Sequence, residues 1–409
     1  MGRNMRTVTA GALLGLAATA ALSATGGGVA QAQDQAQDRE RPPRGRCTTS
    51  VPFVSGEGGY DTYRIPAAVT TPRGTVVAFA EGRVGGAGDT GDIDVVARRS
   101  DDGGCSWGPL SVVAAGQGDT RGNPSPVVDP ATGRLVLLTT YNSGEVTEDE
   151  IMRGVARPEQ SRRAFVQVST DDGRSFDAPR EITAEAKLPH WRWYATGPGH
   201  AIALTHGPHA GRLVVPANHS AAPPDGSPDT GREAKYYGSH ALLSDDGGAT
   251  WRIGYVDDSY DGAVNANEST VAQLPDGRLW FSARDQNGTV AGNRLGAWSS
   301  DGGGTLDGPY AVVGSLGDVP VVQASTLRTP GAAGPLLFSG PSDPAARRAM
   351  RLWRSDDDGR TFAPVETLSA DPAAYSELVQ LDRRTVGLLY ETGADGPYER
   401  VVLRRFTDL

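Results

Sequence analysis

An eight-residue motif recurs along the chain and limits its fold more than any other feature. Ser100 to Trp107 reads S-x-D-x-G-x-[ST]-[WF], and the pattern returns at Ser169 to Phe176, Ser244 to Trp251 and Ser355 to Phe362. A fifth copy, from Ser299, ends in Leu306 in place of an aromatic. Successive first serines are 69, 75, 55 and 56 residues apart. Repetition at such a period means one supersecondary unit stacked on the next. Asp and Gly suit a tight turn, Asp by accepting backbone amides and Gly by taking positive φ. The terminal aromatic can then tuck beneath the turn. Short β-branched runs flank the copies, near 95–97, 165–168 and 350–353, and read as strands. Helical periodicity is nearly absent, so the expected class is all-β. From Cys47 to Leu409 there are 363 residues, which suits six four-stranded blades of about 60 residues each. No linker or shift of composition marks a second domain.

The formal charge is −10, from 39 basic and 49 acidic residues, with no basic run. That argues against nucleic acid as a partner. Lys187 and Lys235 are the only lysines, so a lone arginine says little about function. Residues 1–32 have the form of a signal peptide. Arg3 and Arg6 precede an apolar stretch from Ala10 to Ala24, and Ala30-Gln31-Ala32 is a small-x-small cleavage site. The stretch is shorter than the ~20 residues of a membrane span, so no membrane insertion is expected. The expectation is secretion after cleavage near Ala32, a disordered polar leader over 33–46 and a folded domain over 47–409. Two cysteines in an exported chain, Cys47 and Cys105, allow one disulfide or two free thiols.

Further landmarks lie between the repeats. They are Tyr63-Arg64-Ile65-Pro66, Ala80-Glu81-Gly82-Arg83, a Gly-rich loop with Asp89, and Gly91-Asp92-Ile93-Asp94. Later come Asn267-Glu268-Ser269-Thr270-Val271, then Arg284, then Ala374-Tyr375-Ser376-Glu377-Leu378 and Leu388-Leu389-Tyr390-Glu391. The octapeptides resemble the Asp-boxes of bacterial neuraminidase (BNR) repeats, and the ordered set resembles the exo-α-sialidases over essentially all of 47–409. The resemblance implies a six-bladed β-propeller with the boxes away from the site. It also implies a monomer that releases terminal sialic acid from glycoproteins, glycolipids or oligosaccharides, with retention through a tyrosyl-enzyme intermediate and with no cofactor or metal.

The residue types fit that chemistry. Sialic acid carries a carboxylate on its anomeric carbon, and planar arginine pairs with a carboxylate in a way lysine does not. Arg64 and Arg284 match two of the family's three arginines. The third is expected within 342–348, with Arg348 favoured over Arg347. A carboxylate nucleophile would be repelled by the substrate, whereas a neutral tyrosine whose proton passes to a base would not. Tyr375 matches that nucleophile and Glu268 its base. Asp89 matches the acid/base, with Asp92 as the alternative. Glu391 resembles the carboxylate that orients Arg64, and Arg83 is expected to contact the sugar or its carboxylate from the rim. The aromatics of 190–199 resemble a loop lining the aglycone side. All six histidines fall between His190 and His240 and read as scattered loop residues without a metal pattern. A trans-sialidase or intramolecular trans-sialidase would share the catalytic set. A sialic-acid-binding lectin would keep the arginines alone, and an Asp-box propeller acting on other glycans would lack the Tyr375 motif. No serine-hydrolase elbow or phosphate loop occurs.

Overall fold

The computed structural model describes residues 47–331 and 334–409. The expected signal peptide (1–32) and polar leader (33–46) lie outside the described residues. Among the described residues strands dominate, and the two α-helices there, Glu148–Met152 and Thr183–Ala186, have five and four residues. The strands pair into five sheets arranged as a β-propeller. Three sheets have four strands, one has five and one has eight. The eight-stranded sheet consists of two four-stranded runs joined through one parallel pair, Ile93 with Thr120.

Strand direction separates two ends of each sheet. Thr62–Thr70 pairs antiparallel with Val76–Arg83, which pairs antiparallel with Ile93–Ser100. Thr70, Val76 and Ser100 therefore meet at one end, where the first octapeptide turns, and Arg64 stands near the other. The last sheet joins early and late chain: Thr49–Val54 pairs with Arg400–Thr407, beside Thr385–Thr392 and Ala373–Gln380. Cys47 and Cys105 are joined as a disulfide across 58 residues. Loop-closure entropy makes such a link worth about 4 kcal/mol.

The octapeptide turns share one bonding scheme. Asp102 Oδ1 accepts from the Ser100 hydroxyl at 2.7 Å and from the Ser106 amide at 2.9 Å, and Ser100 Oγ accepts the Gly104 amide at 2.8 Å. Asp171, Asp246, Asp301 and Asp357 repeat all three bonds. The copy ending in Leu306 is thus complete as a turn, which rests on Ser, Asp and Gly rather than on the aromatic. Burial would raise these carboxyls, but the hydrogen bonds outweigh it and hold all five below the usual range, Asp171 at about 2. Gly104 cannot be replaced cheaply, because its φ is +87° and a Cβ would meet Leu403 at 2.2 Å. Apolar clusters fill the space between neighbouring sheets, as where Trp280 packs with Phe338, Trp353 and Phe362.

Candidate active site

Five strands, four at the edge of their sheets and one heading the second run of the eight-stranded sheet, are irregular near their starts. The register shifts between Arg64 and Ala67, Gly122 and Ser125, Trp191 and Tyr194, Ala266 and Ser269, and Ala373 and Ser376. A bulge re-aims side chains. Arg64, Asn123, Trp193, Glu268 and Tyr375 lie at these irregularities, and all five line one cavity of about 170 Å³. Ile65 takes φ +58° and Asn123 +52°. Positive φ strains a β-branched residue, and the surroundings must hold it. Glu391 Oε1 accepts the Ile65 amide at 2.7 Å, and Glu81 Oε1 accepts that of Asn123 at 2.8 Å.

Tyr375 and Glu268 meet in this cavity. The Tyr375 hydroxyl donates to Glu268 Oε1 at 2.5 Å, and Arg284 Nη1 donates to Glu268 Oε2 at 2.9 Å. Burial and the facing Glu268 push Tyr375 well above the usual tyrosine range, against the pull of Arg284, Arg64 and Arg347. The tyrosine is therefore protonated at neutral pH, with an acceptor in place for its proton. Glu391, fully buried, takes the Tyr375 amide on Oε2 at 3.0 Å and lies 3.5 Å from Arg64 Nε. It thereby ties the strand of Arg64 to that of Tyr375. For Arg64, Glu391 and its neighbours outweigh burial and keep the guanidinium charged.

Of the two candidates for a third arginine, Arg347 lines the cavity and the favoured Arg348 does not. The Arg347 guanidinium stands 5.7 Å from the centre of the Tyr375 ring and lines the cavity. Arg348 turns away and donates twice to the exposed Ala370 carbonyl, at 3.1 and 2.9 Å. Both belong to the strand Ala346–Ser355, along which successive side chains point to opposite faces. Only one of two adjacent arginines can then face the site.

Asp89 Oδ1 accepts from Arg83 Nη1 at 2.8 Å and from Arg64 Nη1 at 3.1 Å. Burial would raise this carboxyl, but Arg83 and Arg64 hold it below the usual range. Asp92 is elsewhere, accepting the Gly118 amide at 2.9 Å in a turn. Arg83 departs from the expected rim position, for it is 2% exposed. Its Nε and Nη2 grip Glu81 at 3.0 and 2.5 Å, and its Nη1 also holds the carbonyls of Ala87 and Gly88 at 2.6 and 2.9 Å. Arg83 is the post on which the Asp89 loop hangs.

The cavity lining also includes residues that sequence reasoning missed. Arg162 donates to Asn123 Oδ1 at 2.9 Å and Thr140 Oγ1 at 2.7 Å, and lies 3.8 Å over Trp193. Burial pulls its guanidinium down to about 10. The Tyr237 hydroxyl donates to Glu148 Oε1 at 2.5 Å, and burial raises the Glu148 carboxyl. Asn218 is fully buried, lines the cavity, and has no partner on either amide atom among the described residues. No short motif marks these positions. Of the aromatics in 190–199, Trp193 lines the cavity, whereas Trp191 is core and stacks on His219 at 3.8 Å. The histidines also differ from expectation. His219 and His240 are buried on adjacent strands with Nδ1 atoms 3.1 Å apart, and His200 meets Glu377 at 2.8 Å. No cluster of three or more metal-ligating side chains occurs among the described residues. No helix among them is long and apolar enough to cross a membrane.

The pattern of the BNR repeat-like domain family matches residues 74–388. A sialidase of Micromonospora viridifaciens is 33% identical over 352 residues, covering 83% of this chain and 51% of its own. The chain therefore spans about half the length of that relative. An exo-alpha-sialidase of Aspergillus fumigatus is 31% identical over 381 residues, covering 85% of this chain and 84% of its own. Among solved structures, a Hadza microbial sialidase superposes with a TM-score of 0.72 at 26% identity, over 88% of this chain and 68% of the other.

Proposed function

The chain belongs to the sialidase family with BNR repeats, and from that premise we propose that it is a secreted, monomeric exo-α-sialidase. It removes terminal α-linked sialic acids from glycoproteins, glycolipids and oligosaccharides with retention of configuration. The observation that carries this reading is the Tyr375–Glu268 pair at 2.5 Å in a cavity that Arg64, Arg284 and Arg347 also line. The arginines take the substrate carboxylate, which fixes the anomeric carbon over Tyr375. Tyr375 Oη attacks that carbon while Glu268 accepts the phenolic proton and Asp89 protonates the departing glycosidic oxygen. Water then attacks the tyrosyl-linked sugar with Asp89 as base, and Tyr375 leaves as Glu268 returns its proton. Every group in this scheme is a side chain of this chain. Arg162, Glu148 and Asn218 offer hydrogen bonds to the polyhydroxy end of the sugar.

Six blades fit the sheet pairing if the two runs of the eight-stranded sheet count separately beside the other four sheets. A fluorogenic aryl sialoside tests the function, with the released sugar followed by mass. Free sialic acid with retained configuration supports hydrolysis. An anhydro or transferred sugar points instead to trans-sialidase action, and tight binding without release points to a lectin.

A further inference from the structure

We propose that Tyr398 is a positioning residue that sets Arg64 and Arg347 in a common register against Tyr375; this rests on the sialidase reading above. Arg64 lies between two rings, 4.3 Å from the centre of Tyr398 and 5.0 Å from that of Tyr375. The Tyr398 hydroxyl accepts from Arg347 Nη1 at 3.1 Å. One side chain thus touches two of the three carboxylate-binding arginines without lining the cavity itself.

Both arginines need such a support. Arg284 is aimed by Glu268, but no ion pair to Arg347 occurs among the described residues. Its bonds go to the Tyr398 hydroxyl and, from Nη2, to the Val321 carbonyl at 3.3 Å. Arg64 has a carboxylate partner in Asp89, yet that contact must loosen when Asp89 turns to the glycosidic oxygen. The Nε and Nη2 atoms of Arg64 have no hydrogen bond among the described residues. What then remains is Glu391 at 3.5 Å and the two ring faces. A cation on an aromatic face gains most where water is excluded, and Arg64 is 5% exposed.

The loop carrying Tyr398 is built to hold the ring still. It joins Thr385–Thr392 to Arg400–Thr407. The Glu399 carboxylate collects the amides of Ala394, Asp395 and Gly396 at 3.1, 2.7 and 3.0 Å. The Ser55 hydroxyl donates to the Tyr398 carbonyl at 2.7 Å and accepts the Tyr63 amide at 3.3 Å. Tyr63 precedes Arg64, so Ser55 fixes the loop against the strand whose arginine it serves.

The two roles are separable. Tyr398→Phe keeps the ring under Arg64 and removes the acceptor of Arg347, whereas Tyr398→Leu removes both. The test measures kcat and KM on a fluorogenic sialoside, the Kd of 2-deoxy-2,3-dehydro-N-acetylneuraminic acid, and the melting temperature. For Tyr398→Phe we expect KM and Kd to rise about ten-fold, the scale of one hydrogen bond to a charged group. Its kcat and melting temperature should be unchanged. In an Arg347→Ala background the same replacement should cost nothing further, because the hydroxyl acts through Arg347. Tyr398→Leu should still cost activity there. Tyr398→Phe with wild-type KM and Kd, or with an equal penalty in both backgrounds, overturns the proposal even if Tyr398→Leu fails to fold. Wild-type protein that neither turns over the sialoside nor binds the unsaturated acid overturns the sialidase reading, and this inference with it.

Discussion

Arg347→Ala and Arg348→Ala are adjacent changes with opposite expected outcomes. Each removes one guanidinium from the strand Ala346–Ser355. Arg347 faces the cavity, where a substrate carboxylate would take one or two charge-assisted hydrogen bonds from it. Such bonds are worth about 1.5–3 kcal/mol each, so kcat/KM should fall by about 10–150-fold for one bond lost. The phenol of Tyr398 also loses its donor, but Tyr398 is only half-buried and water can replace the partner. Arg348 bonds to an exposed backbone carbonyl at Ala370, and water satisfies that oxygen as well. Exposed substitutions of this kind stay within about 0.5 kcal/mol, or about two-fold in rate. The assay is kcat/KM on a fluorogenic sialoside for both variants, with melting curves to show that each is folded. Arg347→Lys adds a control, since it keeps the charge and loses the planar fork. The reasoning fails if Arg348→Ala loses as much as Arg347→Ala, because the strand alternation that separates the two would then be wrong.

Arg64→Lys should cripple turnover although its charge survives, by about ten-fold or more for the lost fork; near-native kcat/KM in folded protein would falsify its role. Trp251, 5% exposed beneath the third octapeptide turn, should cost about 3–5 kcal/mol on truncation to Ala. That loss would show as a lowered melting temperature with unchanged specific activity per folded molecule. A 3-fluoro sialosyl donor with a good leaving group should leave its sugar on Tyr375, read by peptide mass spectrometry. Asp89→Ala should lose far more on poor leaving groups than on an aryl sialoside, and equal losses would reassign the acid. Burial holds His219 and His240 below their usual range, His240 at about 3, while at His200 Glu377 outweighs burial and raises it. The depressed pair contributes stability above the unfolded value of ~6.5 that is lost as pH falls, whereas the His200 contribution is fully present below ~6.5. Between pH ~6.5 and ~5 each of the pair should withdraw up to about 1.4 kcal/mol per pH unit, and a melting temperature that stays flat or rises there would contradict it.

What could be read from the sequence was what repeats or stands in a short contiguous motif. The octapeptides give the turn, its serine and its aspartate, because those atoms bond within eight residues. Tyr63-Arg64-Ile65-Pro66 was legible as a contiguous motif resembling that of the exo-α-sialidases, whereas the φ of +58° at Ile65 beside Arg64 was not. The histidines misled because nothing local distinguishes an exposed loop histidine from one stacked on Trp191. Arg348 misled for a similar reason: two identical side chains stand side by side, and only the strand register decides which faces the cavity. Arg162 and Glu148 could not have been found by pattern. They lie between repeats, on the strand side of one loop and on a five-residue helix, and meet the site only through the closure of neighbouring sheets. Arg83 was recognised by its motif but not by its task, which depends on the backbone path of residues 87–89.

On the proposed sialidase reading, the charges of the cavity would let a substrate anion switch the chemistry on. Five arginines line it: Arg64, Arg83, Arg162, Arg284 and Arg347. Three are matched by carboxylates within 4 Å before any ligand arrives. Arg83 holds Glu81 and Asp89, Arg284 holds Glu268, and Arg64 has Glu391 and Asp89. Arg347 has no such partner among the described residues, so an incoming carboxylate supplies the counter-charge it lacks. The same carboxylate competes with Asp89 for Arg64. If it took over that guanidinium, one of the two cations holding Asp89 below its usual range would be neutralised, and the Asp89 carboxyl would rise toward the protonated form that the proposed general acid needs. Tyr375 is exempt from this exchange. It is held protonated by burial and by Glu268, and a neutral nucleophile meets no repulsion from the anion that has just been bound. On the proposed reading, binding would prepare the acid while Tyr375 stays protonated, and because Arg284 also holds Glu268 the same anion would reach the base as well.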